Sequence, residues 1–153
     1  MKKIILFLFL THIYMVSISQ NKSDFSVVFN HVALSVKDLN QSAEFYMNTL
    51  NLKEITNKTK KASRRWLSLS EGKELHLISD YEGEITVTKA VHMAVTTSNF
   101  DSFLKKLKSM NITYSDWPGT PNTVNIRADG IKQVFFQDPN GYWIEVNSVG
   151  QNN

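Results

Sequence analysis

Hydrophobic and polar residues alternate in several short runs of the chain, the period that half-buried β-strands show. In the first run, Val32, Leu34 and Val36 share one face, while His31 and Ser35 lie on the other. Similar runs occupy residues 66–70, 74–78, 91–95, 134–137 and 142–146. Shorter strands are expected at residues 52–55 and 112–114. The pattern therefore predicts a protein rich in short strands.

Two stretches with helical spacing interrupt these strands. After the first strand, Asp38 or Asn40 can cap a helix that carries Ala43, Tyr46 and Leu50 on one face. After the strand at 91–95, apolar residues recur three and four positions apart, which predicts a second amphipathic helix. These residues are Phe100, Phe103, Leu104, Leu107 and Met110.

The same order of elements occurs twice in the sequence. His92 follows His31 by sixty-one residues, and Asn99 then matches Asp38 at the start of the helix. We predict an α+β fold of two paired β-α-β-β-β modules, residues 29–80 and 90–147, which form an open, U-shaped mixed β-barrel around a metal-binding cavity. In the second module, the Asp138-Pro139-Asn140-Gly141 turn joins the last two strands, and residues 117–130 form a loop over the site.

The chain begins with features of an export signal. Lys2 and Lys3 precede an apolar run, and Ser17 and Ser19 stand at the spacing that signal peptidase accepts. We predict a signal peptide at residues 1–19, one folded domain at 27–147 and a frayed tail at 148–153. An uncleaved anchor is the alternative, although the run is shorter than the ~20 residues of a membrane-spanning helix. The predicted location is secreted or periplasmic, in a bacterium.

Composition excludes several classes of function. There is no cysteine, which rules out disulfide scaffolds, thiol nucleophiles and cysteine-ligated metal sites. Without the signal, 15 basic residues face 14 acidic ones. This near-neutral charge gives no reason to expect a nucleic-acid partner, and no membrane partner is expected beyond the signal.

The histidines carry the candidate chemistry. His31, His76 and His92 each lie within a predicted strand, on the face away from the helices, and Glu145 lies the same way in the last strand. Imidazoles and a carboxylate that meet in a cavity suit a divalent cation. The alternative is that each is an ordinary strand residue. Glu74 shares a face with His76 and competes with it for the third ligand position.

Three aromatic residues are candidates for the wall of a substrate pocket: Trp66, Phe136 and Trp143. A two-residue turn at Pro139-Asn140 would pair Phe136 with Trp143 on the face that carries Glu145. The alternative interpretation is that all three are ordinary core aromatics.

Two segments resemble the vicinal oxygen chelate superfamily, which includes glyoxalase I, extradiol dioxygenases, fosfomycin-resistance proteins and bleomycin-binding proteins. They are residues 30–50 (NHVALSVKDLNQSAEFYMNTL) and 133–146 (QVFFQDPNGYWIEV). The resemblance implies paired modules with metal ligands on the first and last strand of each. Carried over, these ligands are His31, His76, His92 and Glu145. Modules of this family pair within one chain or across a homodimer, and both arrangements stay open here.

The resemblance implies a glyoxalase I-like lyase or isomerase, which the N-terminal signal features would make an exported one. A divalent ion (Zn, Ni, Fe, Mn or Co) would stabilise an enediolate of a small oxygenated substrate, and Glu145 is the expected proton carrier. If His76 does not bind, His31, His92 and Glu145 form a two-histidine, one-carboxylate set. The alternatives are therefore an iron-dependent ring-cleaving dioxygenase, a fosfomycin-type thiol transferase, or a non-catalytic binding protein.

Overall fold

Two helices and eight strands follow one another in the order that the duplication predicts. The computed structural model describes residues 25–150, so the predicted signal peptide at 1–19 lies outside the described residues. The first module contains β1 (His31–Ser35), α1 (Leu39–Leu50), β2 (Lys53–Ile55), β3 (Arg64–Ser68) and β4 (Glu74–Ile78). The second contains β5 (His92–Thr96), α2 (Phe100–Ser109), β6 (Asn125–Ile126), β7 (Lys132–Gln137) and β8 (Trp143–Asn147).

Each module builds its own four-stranded mixed sheet. The strand orders are β1-β4-β3-β2 and β5-β8-β7-β6, with the first strand of each module parallel to its last and the other pairs antiparallel. This arrangement confirms the predicted α+β fold and the repeated module. The two sheets are not closed into a barrel.

The helices begin where the sequence predicts. The Asp38 carboxylate accepts the backbone N–H groups of Asn40 and Gln41, both at 2.9 Å, and so caps α1. Asn99 does the same for α2 by accepting from the N–H of Ser102 at 3.0 Å. Asn51 ends α1 in the left-handed conformation, with φ of 58°.

The two modules share one hydrophobic core. Phe136 of β7 packs against Phe45 of α1 and Phe103 of α2, with ring centroids 6.4 and 6.0 Å away. Leu75, Leu77 and other apolar strand residues are buried in the same cluster. The modules therefore meet through the sides that carry their helices. The opposite sheet faces, which carry the histidines, are left partly open to solvent.

The turn between β7 and β8 differs from the predicted one. It has five residues, 138–142, and the Asp138 carboxylate holds it by accepting the N–H groups of Asn140 and Tyr142 at 2.8 Å. The longer turn shifts the register by one residue, so that Phe136 pairs with Ile144 and not with Trp143. The predicted pairing was therefore wrong, and Phe135 takes the place opposite Glu145.

Two further segments of the second module differ from expectation. Residues 112–114 belong to no strand; Ser115 bridges to Phe135, and the short strand lies at Asn125–Ile126, inside the predicted loop. At the predicted tail, Ser148 exchanges hydrogen bonds with the backbone of Lys132, and residues 151–153 lie outside the described part. Within residues 25–150, no helix is long and apolar enough to cross a membrane.

Candidate functional site

His92 and Glu145 meet on the open face of the second sheet. Ala94 is the strand partner of Glu145, so His92 and Glu145 point to the same side. The Nε2 atom of His92 lies 3.3 Å from Oε2 of Glu145. Glu145 is 8% exposed, and its other carboxylate oxygen accepts a hydrogen bond from the side-chain amide of Asn147 at 2.8 Å.

A backbone contact fixes the orientation of the His92 ring. Its Nδ1 lies 2.8 Å from the carbonyl oxygen of Lys89. Because a carbonyl oxygen can only accept, Nδ1 carries the hydrogen, and Nε2 is the ring nitrogen that faces the Glu145 carboxylate. A cation bound between Nε2 and the carboxylate oxygen would be stabilised by both atoms. The pair therefore fits two of the ligands of a divalent metal ion.

The open face of the first sheet carries a stack of three rings. The His76 ring lies nearly parallel to Trp66 on one side and to His31 on the other, with centroid distances of 4.0 and 4.3 Å. Nε2 of His76 is 2.7 Å from a carboxylate oxygen of Glu74. Nδ1 of His31 is 2.6 Å from the side-chain oxygen of Asn30, which leaves its Nε2 for another partner.

The four predicted ligands do not converge within one chain. Between residues 25 and 150, no group of three or more His, Asp or Glu side chains is arranged to hold a metal ion. The two modules share a core built from their helix-facing side chains, and the two histidine-bearing faces belong to separate sheets. His31 and His76 lie together, as do His92 and Glu145. Metal binding by these residues stays a prediction.

Aromatic residues surround His92. The rings of Phe135 and Trp117 stand edge-on to its imidazole, at centroid distances of 5.6 and 6.3 Å. Trp143 is the strand partner of His92 and lies on the same face, as predicted, whereas Phe136 is buried among the helices. Phe135 was missed because it depends on the register of one turn. Trp117 lies in the loop that was expected to cover the site.

Lys89 is a neighbour of the site that sequence reasoning also missed. Its ammonium donates hydrogen bonds to Ser115 Oγ (3.1 Å) and to the carbonyl oxygens of Asp116 (3.0 Å) and Trp117 (3.2 Å). Desolvation acts to raise the pKa of the Asp116 carboxyl, yet that pKa lies below its usual value because of hydrogen bonds from Thr120 and Gly119 and the charge of Lys89. No sequence signal marks Lys89, since it precedes β5 in an irregular segment.

Comparison with known proteins decides the family. The family model described as the glyoxalase/bleomycin resistance protein/dioxygenase superfamily matches residues 28–146. The chain belongs to this superfamily. The resemblance that the sequence carries, to vicinal oxygen chelate proteins, is thereby confirmed.

Two relatives and one solved structure illustrate the similarity of this chain to other proteins. The chain is 26% identical over 122 residues to the uncharacterized protein YwbC of Bacillus subtilis. This match covers 76% of the present chain and 93% of YwbC. It is 29% identical over 125 residues to metallothiol transferase FosB of Staphylococcus saprophyticus. This match covers 78% of the present chain and 75% of FosB. The solved structure of a putative glyoxalase family protein from Bacillus anthracis has the same fold, with a TM-score of 0.66 and 20% sequence identity. The match covers 83% of the present chain and 98% of that protein.

Membership of this superfamily is relevant to the candidate metal ligands. Members commonly use divalent metals and are often metal-dependent enzymes. His31, His92 and Glu145 stand on the first strand of each module and the last strand of the second. His31 and His92 thus lie on equivalent edge strands of the two sheets, and Glu145 lies on β8, the strand next to β5.

Proposed function

We propose that this protein is a metal-dependent enzyme that holds a divalent ion with His31, His92 and Glu145. The observation that carries the proposal is the His92–Glu145 pair, in which the Lys89 carbonyl holds the His92 ring so that Nε2 lies 3.3 Å from a carboxylate oxygen. Two imidazoles and one carboxylate form a facial ligand set that leaves positions for substrate oxygens.

The third ligand comes from a second copy of the chain. His31 is exposed on the open face of the first sheet, and His92 and Glu145 lie on the open face of the second. When the first module of one copy faces the second module of another, the two half-sites meet, and two-fold symmetry builds two sites per homodimer. The exposed edge residues Ala33 and Ala94 are small enough for such an approach.

Glu145 has two roles in this proposal. One oxygen is held by Asn147, so the carboxylate keeps its orientation, and the other is turned toward the ligand position. A bound divalent ion supplies Lewis-acid chemistry to a substrate with two adjacent oxygens. A carboxylate held beside such a substrate is also within reach to accept or return a proton.

The contacts of His76 support a choice among the reactions that the sequence leaves open. Its Nε2 is paired with Glu74 and its ring is stacked on both faces, which favours a three-ligand site. A three-ligand site favours the thiol-transferase or oxygenase alternative, and the likeness to metallothiol transferase FosB supports the same choice. The glyoxalase-like lyase is the second candidate, and it requires His76 as a fourth ligand.

Metal analysis of the purified protein, followed by an activity panel, tests this proposal. We expect about one ion per chain, and turnover of a substrate with adjacent oxygens in the presence of a thiol or of oxygen. The panel comprises epoxides with thiols, catechols with oxygen, and 2-oxoaldehydes. Turnover that is undiminished after the ion has been removed by a chelator would contradict the proposal.

Export is a separate part of the proposal. The lysine pair and apolar run at the start of the sequence support cleavage before Gln20 and a secreted or periplasmic location. N-terminal sequencing of protein from the medium or periplasm should begin at Gln20. Full-length protein that is found only in the cytosol would contradict export.

A further inference from the structure

Lys89 contacts His92 through its backbone and a neighbouring loop through its side chain. Its carbonyl oxygen lies 2.8 Å from Nδ1 of His92 and accepts the ring hydrogen. Its ammonium reaches the loop at 115–117, where the acceptors are Ser115 Oγ and the carbonyl oxygens of Asp116 and Trp117. One residue therefore links the orientation of the imidazole to the position of the loop.

The contacts of the ammonium fix the Lys89 side chain in one position. An ammonium group has three N–H donors, and three oxygen acceptors lie 3.0 to 3.2 Å from it. It also lies 4.6 Å from the centroid of the Trp143 ring and 5.5 Å from that of Phe135, so two aromatic rings stabilise the charge. The side chain is therefore fully engaged within its own chain.

The loop that receives the ammonium is itself held in shape. The Asp116 carboxylate accepts the backbone N–H groups of residues 119 and 120 at 2.9 and 2.7 Å. Ser115 exchanges two backbone hydrogen bonds with Phe135 of β7, at 2.8 and 2.9 Å. Phe135 is the strand partner of Glu145, so the loop is anchored to the sheet opposite the candidate carboxylate ligand.

The Lys89 carbonyl belongs to a segment without regular structure. Residues 79–91 form no helix or strand, and a turn closed by the Val91 N–H and the Thr88 carbonyl oxygen leads into β5. Connecting segments move more than the strands they join, so the direction of a carbonyl group in them depends on tertiary contacts. The side chain of Lys89 provides such contacts for its own carbonyl.

We propose that Lys89 is a positioning residue for His92. Its ammonium, held by the loop at 115–117, fixes the carbonyl that keeps the hydrogen on Nδ1 and Nε2 facing Glu145. The inference rests on the proposed function in one respect, which is that His92 is taken as a metal ligand. A metal ion binds a ring nitrogen that carries no hydrogen, so a hydrogen held on Nδ1 leaves Nε2 for the ion. The loop conformation and the metal affinity are thereby coupled.

The position of the hydrogen on His92 tests this inference without any metal. Nitrogen-15 NMR of the chelator-treated protein at about pH 9, where an imidazole is neutral, distinguishes a ring nitrogen with a hydrogen from one without. Comparison with His92→Gln assigns the signals. We expect the hydrogen on Nδ1 in the wild-type protein. In Lys89→Met the signals of Nδ1 and Nε2 should move toward each other, because the hydrogen is then shared between them.

A loss of stability alone would not move these signals. Signals in a folded Lys89→Met protein that are identical to those of the wild type would overturn the proposal. Ser115→Ala keeps the test decisive if Lys89→Met does not fold, because it removes one of the three acceptors and leaves the charge in place. We expect a smaller shift of the same two signals in Ser115→Ala, and unchanged signals there would contradict the proposal.

Zn²⁺ affinity, measured by competition with a chromophoric chelator, shows the consequence for the site. Lys89→Met should bind Zn²⁺ about tenfold more weakly, the loss typical when the partner of a metal-bound histidine is disturbed. Lys89→Arg should recover most of the affinity, because arginine keeps the charge and the N–H donors. Lys132→Met is the matched control. It removes an ammonium from β7 of the same sheet, 3.8 Å from Asp101, and should have no effect.

The comparison among these variants can contradict the assignment. An arginine variant as weak as the methionine variant would show that the positive donor at residue 89 does not position His92. A Lys132→Met protein as weak as Lys89→Met would show that the loss of any charge on this sheet has the same effect.

Failure of this inference and failure of the proposed function give different results. A wild-type protein that binds metal, with unchanged His92 signals and Zn²⁺ affinity in Lys89→Met, refutes the role of Lys89 alone. A wild-type protein that takes up no metal, while the His92 signals shift in Lys89→Met, refutes the proposed metalloenzyme and leaves the positioning role of Lys89 standing.

Discussion

The Nε2 atom of His76 lies 2.7 Å from a carboxylate oxygen of Glu74, while the His76 ring is stacked between Trp66 and His31. A histidine with this partner on its Nε2 and with rings on both faces is held as a structural element. It orients the ring of His31, and it would have to give up the Glu74 contact in order to bind a metal through Nε2.

Replacement of His76 by alanine should therefore weaken metal binding without abolishing it. We expect a loss of about tenfold in affinity, the size typical of groups that orient a ligand, whereas His31→Ala, His92→Ala or Glu145→Ala should remove the ion. Competition with a chromophoric chelator measures both effects. A His76→Ala protein that takes up no metal would show that His76 is a ligand and would restore the four-ligand, glyoxalase-like site.

A buried hydrogen bond joins the two modules. The Tyr46 hydroxyl donates to the Asp138 carboxylate at 3.0 Å, and both residues are buried. Burial, together with the charge of Asp138, raises the pKa of Tyr46 well above its usual range. The tyrosine therefore stays neutral and keeps its hydrogen bond across the pH range in which proteins are stable.

Tyr46→Phe should lower the free energy of unfolding by about 1–3 kcal/mol, because Asp138 loses a buried donor. Urea denaturation at neutral pH measures the change. Tyr81→Phe, at a 60% exposed position, is the control and should leave the midpoint unchanged. Equal stability of the Tyr46→Phe and wild-type proteins would mean that the contact between the modules contributes nothing.

A surface pair on the first sheet gives a prediction for acid pH. Two nitrogens of the Arg65 guanidinium donate to the two oxygens of Glu54, at 2.8 and 2.6 Å, and these hydrogen bonds lower the pKa of Glu54 below its usual 4.5. The stability that this pair provides is therefore present above pH 4.5 and is lost as the pH falls through the lowered pKa.

Glu54→Gln should reduce the free energy of unfolding at pH 7 by less than about 1 kcal/mol, since the Glu54 side chain is 42% exposed and solvent screens the pair. The difference between the two proteins should shrink as the pH is lowered below 4.5. Denaturation midpoints at a series of pH values measure this difference. A difference that is constant down to pH 2 would show that ionisation of Glu54 plays no part.

Much of the fold could be predicted from the sequence because each module repeats a local pattern. Strand alternation placed the faces of His31, His76 and His92 correctly, and Asp38 and Asn99 cap equivalent helices. These features depend on neighbours in the chain, which the sequence displays directly.

Features that depend on distant contacts could not be predicted. The five-residue turn at 138–142 is stabilised by Asp138, whose carboxylate also accepts a hydrogen bond from the Tyr46 hydroxyl of the other module. This turn sets the register that places Phe135, and not Phe136, opposite Glu145. Face alternation predicted that the four ligands share a cavity, but it left open whether they meet within one chain or across a homodimer. The way in which the modules pack decides it, and no local pattern encodes that packing.

A mixed dimer tests the central claim that His31 of one copy completes the His92–Glu145 site of another. Chains with His31→Ala and with His92→Ala are co-expressed with different tags, and the heterodimer is isolated by both tags. Neither homodimer of variants should bind metal. The heterodimer keeps one intact site, so it should bind about one ion where the wild-type dimer binds about two. A purified heterodimer without metal, beside a wild-type dimer that binds it, would contradict a site shared between copies.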